Sequence, residues 1–196
     1  MVVKSGAEEL ELIHRKFCKF ALGLPTTASN LACYGELGRS PLEIRWRVQL
    51  IKYWLRIKTD WTVSSLVKDA CILATSSSLQ WANSIKQNLD GAGFSYVWLN
   101  PDNVDPQQLC AELKERLTDQ YIQHWQSKLR DTTGKLRSDS YKFKEDFKRE
   151  SHLELPPYMR VPVARLRTST LPLRIETGRY NLPVPIPLTT QINTFV

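Results

Sequence analysis

Apolar positions in this chain recur at helical spacing far more often than they alternate. Between residues 7 and 22, Leu10, Ile13, Phe17, Phe20 and Ala21 share one stripe, acids fill the first turn, bases follow, and Gly23 then Pro25 stop the run. A short helix from about Ser29 to Leu37 comes next, closed by Gly38. Ser40-Pro41-Leu42-Glu43 then combines an N-cap residue, a proline at the first helical position and a glutamate three residues after the cap, which is a capping box. The helix it opens, 41–59, directs Ile44, Val48, Ile51 and Leu55 to one face and Arg45, Gln49, Lys52 and Arg56 to the other. Trp46, Leu50, Tyr53 and Trp54 widen the apolar side, which predicts a central helix with neighbours on two sides.

Thr62 to Leu73 reads as helical, Ser76 to Ser78 interrupts, and a further helix runs to about Leu89, where Gly91 and Gly93 end it. After the turn-rich stretch from Asn100, Asp105-Pro106 opens the longest helix, 106–130. Its row Leu109, Leu113, Leu117, Tyr121, Trp125 and Leu129 steps by four and precesses round the cylinder. From Arg130 to Ser140 apolar residues nearly vanish, predicting a linker. Tyr141 to Arg149 reads as a basic helical stretch that Pro156 and Pro157 break, and a last short helix beginning near Pro162 carries Arg165 and Arg167. Pro183, Pro185 and Pro187 fix an extended tail. The prediction is an all-α fold: an irregular multi-helix bundle over 1–130, a linker over 131–140, a basic helical segment over 141–182 and a Pro-rich extended tail over 183–196.

Charge changes this picture more than composition does. With 196 residues and 42% apolar content the chain is long enough to bury a core, and its net charge is +7. From Lys128 to Arg179 there are 13 Lys and Arg against 7 Asp and Glu, so +6 of the +7 sits there, while residues 1–127 carry 14 against 13. A basic excess of this kind attracts polyanions, and its place is the C-terminal third. No window approaches the roughly 18 apolar residues of a membrane span, and the start lacks a signal-peptide layout, so the expectation is a soluble intracellular protein with no membrane partner.

Candidate chemistry is sparse. Cys18, Cys33, Cys71 and Cys110 form no C-x-x-C pair and read as buried thiols. His14 and Cys18, at i and i+4, amount to half a metal site without a second half, so neither a metal nor another cofactor is expected. No Gly-rich phosphate loop, H-E-x-x-H, G-x-S-x-G or pair of adjacent aspartates occurs, and His14, His124 and His152 lie far apart. Catalysis has no positive support. Basic residues interleaved with apolar ones are the better candidate: Lys142, Lys144, Lys148, Arg149, Arg160, Arg165, Arg167, Arg174 and Arg179 could present cations to phosphates while Leu166, Leu171, Leu173 and Ile175 pack inward. An ordinary solvated face with salt bridges to Glu154 and Glu176 is the competing reading.

Two stretches carry a resemblance. Phe17 to Leu24 with Leu31 to Trp54 (LACYGELGRSPLEIRWRVQLIKYW), and Leu166 to Tyr180 (LRTSTLPLRIETGRY), resemble the region after the reverse-transcriptase domain in proteins of non-LTR retrotransposons. The resemblance covers most of residues 10–188. It implies that 1–130 is a helical connecting domain and that the Leu-Arg-Ile-Glu-x-Gly-Arg-Tyr run approaches a zinc-binding segment that grips nucleic acid. Nothing here corresponds to the polymerase palm or to an endonuclease, so neither activity is implied. Where the family continues into Glu-Arg and a C-x-x-C, this chain reads Thr189-Thr190-Gln191-Ile192-Asn193, and Leu171 stands where the family often has histidine. The implied zinc module is therefore lost.

Together these readings predict a non-catalytic, nuclear or cytoplasmic chain that binds RNA or DNA weakly and without sequence preference. The alternative is a helical protein-interaction module, with a partner on the aromatic face of helix 41–59, or a transposon remnant with no selected function.

Overall fold

The computed structural model describes residues 2–131 and 146–171. Among them are eight α-helices and no β-strand, as an all-α reading predicts: α1 Val2–Ala21, α2 Asn30–Leu37, α3 Leu42–Thr59, α4 Ser65–Ser76, α5 Gln80–Ala92, α6 Ser95–Leu99, α7 Pro106–Asp131 and α8 Pro157–Arg167. Short 3-10 turns fill Pro101–Asn103 and Ser151–Glu154. No helix among the described residues is long and apolar enough to cross a membrane.

Helix α3 is central, as its wide apolar face requires. It packs against α1, α4, α5 and α7. Ile44, Val48, Ile51, Trp54 and Leu55 meet Ile85 and Leu89 of α5 and Leu109, Leu113 and Leu117 of α7 in one apolar core. Trp54 stacks on Trp98 with ring centroids 5.3 Å apart. The aromatic face of helix 41–59 is thus spent inside the molecule, and of its widening residues only Tyr53 is exposed. Because the i+4 row of α7 precesses, the helix changes neighbours along its length. Leu109 to Leu117 face α3, whereas Trp125 and Leu129 pack with Ala32 of α2, and Trp125 Nε1 donates to the Leu31 carbonyl at 2.9 Å.

A second cluster joins distant parts of the chain. Cys18 of α1 and Leu22 just after it, Cys33 and Tyr34 of α2, Leu153 and Ala164 bury one another. Residues 146–171 are therefore built into the helical body. The linker 131–140 lies outside the described residues except for Asp131, and the tail 183–196 lies wholly outside them.

Four local expectations are corrected. The apolar stripe of α1 faces solvent: Leu10, Ile13, Phe17 and Phe20 are exposed, Phe20 at 82%, because the covered side of α1 carries Cys18 and the half-buried polar pair Glu11 and His14. The capping box at Ser40 does not form. Glu11 reaches across from α1 instead, and its Oε2 accepts the Leu42 N–H at 2.8 Å. Residues 146–149, the described end of the expected basic helix, are not helical: Arg149 bridges Leu37, and the Glu150 N–H donates to the Glu36 carbonyl at 3.0 Å. Finally, the last helix begins at Pro157 and carries Pro162 inside it. A proline at a helix start costs nothing because the first N–H groups have no acceptor there. The pattern also gave no sign of α6, which is one turn long.

Candidate nucleic-acid interface

The cations of the basic segment divide by what the backbone does beneath them. The strand-like passage through Lys148 and Arg149 runs against the end of α2, and Gly38 makes that approach feasible. Its φ of +58° is left-handed, and a Cβ there would collide with the Arg149 nitrogen and lie 2.6 Å from the Lys148 carbonyl carbon. Phe147 anchors the passage from the other side, edge-on to Trp125 at 5.1 Å and to Tyr121 at 5.5 Å. Held this way, the side chains of Lys148 and Arg149 are exposed, and Lys148 pairs with Asp146 at 2.6 Å.

Helix α8 turns two of its arginines inward. Arg165 Nε donates to the Gly23 carbonyl at 2.8 Å, capping the end of α1. Arg167 Nε donates to Oε1 of Glu36 at 2.8 Å, and its other arm meets Glu150 at 3.1 Å. Glu36 is fully buried, and His152 Nε2 stands 3.1 Å from its second oxygen. A carboxylate taken out of water needs such partners, and here they come from an arginine and a histidine more than a hundred residues away in sequence. Thr168, also buried, donates to the Ala164 carbonyl at 2.8 Å and closes the helix beside this knot. Arg160 is half-buried, and its Nε has no hydrogen-bond partner among the described residues.

Of the nine sequence-predicted contact residues, Lys148, Arg149, Arg160, Arg165 and Arg167 are described, whereas Lys142, Lys144, Arg174 and Arg179 lie outside the described residues. Arg165 and Arg167 hold the segment to the body, with their hydrogen-bonding groups turned to Gly23, Glu36 and Glu150. Sequence reasoning missed Glu36. Its signal was a lone acid in the otherwise small and apolar run LACYGEL. Glu36 and Arg167 belong to the two separate runs that carry the family resemblance, and the fold brings those runs into contact.

The thiols and phenols nearby are held neutral. Burial pushes the Cys33 thiol up to about 12 and raises Cys18. Tyr34 is raised by burial and by donating to Glu11, and Tyr121 chiefly by burial. A protonated, buried Cys18 beside His14 is a poor metal ligand. Among the described residues no three His, Cys, Asp or Glu side chains gather in a metal-binding group. No known protein family, curated protein or solved structure matches the chain.

Proposed function

We propose that this chain is a non-catalytic nucleic-acid-associating module, similar to the region after the polymerase domain of non-LTR retrotransposon reverse transcriptases. It acts in the nucleus or cytoplasm and contacts RNA or DNA phosphates through Lys148, Arg149 and Arg160, together with Lys142, Lys144, Arg174 and Arg179. Arg165 and Arg167 serve as the anchors that present this segment. The observation that supports this reading is the charge segregation: +6 of the net +7 falls between Lys128 and Arg179, while the acids Glu36 and Glu150 neutralise an inward-facing arginine and leave Arg149 exposed. Filter binding of single-stranded RNA and duplex DNA at two salt concentrations tests it. Binding is expected to be weak, indifferent to sequence and steeply salt-dependent, and Arg149→Ala should reduce the log-log salt slope on duplex DNA by about 0.9. An absence of binding at low salt rejects the reading.

A second reading, a helical interaction module, draws on the exposed stripe of α1. The occupant that suits it is a second copy of the chain. Antiparallel pairing of two α1 helices covers Leu10, Ile13, Phe17 and Phe20 in an isologous contact. Light scattering decides: a dimer that Phe17→Ser dissociates supports this reading, and a clean monomer at high concentration excludes it.

A further inference from the structure

The N-terminal two thirds of the chain are electrostatically balanced as a whole, yet three of their cations converge without a carboxylate partner. A cleft of about 510 Å³ opens where α1, the α2–α3 turn and α7 meet. Arg39, Arg45 and Lys114 line it from three different elements, together with His14, Ser40 and Gln49. Arg47 pairs with Glu43 and Arg56 with Asp60, but Arg39, Arg45 and Lys114 enter no ion pair among the described residues. No carboxylate occurs among the described lining residues. Glu11, the acid beside the cleft, accepts from the Tyr34 hydroxyl and from the Leu42 N–H, and its Oε1 lies 3.6 Å from Nδ1 of His14, so it faces the cleft's histidine and none of the three cations.

That commitment of Glu11 has a chemical consequence. By capping α3 from a distance it releases Ser40 from the capping role its sequence predicts, and the Ser40 hydroxyl, which lines the cleft, has no hydrogen-bond partner among the described residues. The His14 side chain, only 9% exposed, presents a further polar group. Three cations, a hydroxyl, an imidazole and an amide thus surround a floor made by the buried side chains of Ile44 and Val48. Guanidinium groups bind phosphate oxygens through paired hydrogen bonds, and a small apolar floor suits a sugar or base edge. The volume falls within the range of small-molecule sites and exceeds what an inorganic phosphate fills.

We infer that this cleft is a binding site for a phosphate ester of nucleotide size, either free or as one unit of a single strand. The inference does not rest on the basic C-terminal segment, since every residue of the cleft precedes position 115.

Calorimetric titration of the full chain tests it, with inorganic phosphate, adenosine monophosphate and a ten-nucleotide single strand as probes. Arg39→Ala combined with Arg45→Ala removes two exposed side chains, so circular dichroism and the thermal melt should stay at wild-type values. Affinity for the organic probes should fall roughly tenfold or more, and Lys114→Gln, on a different helix, should lower it in the same direction. Lys86→Ala, an exposed residue of α5 that does not line the cleft, should leave mononucleotide binding unchanged. Loss of mononucleotide binding in the double variant assigns the site to free nucleotides, whereas loss confined to the oligonucleotide assigns it to a strand. Phosphate binding equal to that of the nucleotide, affinity indifferent to all three cleft substitutions, or no binding by any probe overturns the inference.

Discussion

The molecule is held together in two different ways, and the contrast explains how each half responds to change. Around α3, α5 and α7 the interior is aliphatic and aromatic, and no single pair decides it. Where α2 meets residues 146–171, the junction depends on specific partners: Glu36 with Arg167 and His152, Gly38 under the Arg149 backbone, and Arg165 on the Gly23 carbonyl. An apolar core tolerates loss of one contact in proportion to the area lost. A buried charge is less forgiving, because removing its arginine leaves Glu36 charged and out of water.

The largest expected effect lies in that knot. Arg167→Ala, which leaves the Glu36 carboxylate buried without its arginine, should cost about 3–5 kcal/mol in chemical denaturation and should raise hydrogen exchange in residues 146–171 well before α3 and α7 are affected. Ile51→Ala, at the centre of the apolar half, should cost about 2–5 kcal/mol, with exchange rising evenly across α3, α5 and α7. If the two substitutions gave the same exchange pattern, the division into two kinds of cohesion would be wrong.

Gly38→Ala should follow at upwards of about 1–2 kcal/mol, since it adds left-handed strain to a collision with backbone that cannot swing aside. Alkaline titration gives a smaller, graded effect. Cys33, Tyr34 and Tyr121 all have folded-state values raised above their ordinary ones, with Cys33 at about 12. Their stabilisation is complete below the unfolded-state values and is lost as pH climbs through the folded ones. For Cys33 that means a loss of about 1 kcal/mol by pH 10, one unit above the thiol's ordinary value. Near-ultraviolet spectra should report the Tyr34 junction loosening first, and alkylation at pH 8 should reach half-exposed Cys110 before Cys33. On the surface, Phe17→Ser should change monomer stability by no more than about 0.5 kcal/mol, which separates the exposed stripe of α1 from both interior regions.

How much of this was legible follows the same division. Period alone identified the buried face of α3, Ile44, Val48, Ile51 and Leu55, and the row along α7, because a wide apolar stripe has few ways to avoid water. It did not say which side of α1 is covered. There the apolar stripe faces out, and Glu11, which works as a remote cap and as the acceptor of Tyr34, faces in. Nor could charge counting tell Arg149 from Arg167. Both are basic residues of one segment, and Glu36, 131 residues from Arg167, together with Glu150 turns one of them inward. Long-range polar pairing has no period, so it leaves its trace in unexpected residue types, such as an acid in a buried helix and a glycine at its end.

We propose above that the basic segment, pinned by Arg165 and Arg167, offers its remaining cations to nucleic-acid phosphates. The most direct test is a filter-binding titration of the full chain with duplex DNA and single-stranded RNA across a salt series, comparing wild type with Arg149→Ala. The claim predicts sequence-independent binding that weakens steeply with salt, and a duplex-DNA slope lower by about 0.9 in the variant. Binding that ignores salt, a slope that Arg149→Ala leaves unchanged, or no retention at low salt would contradict it.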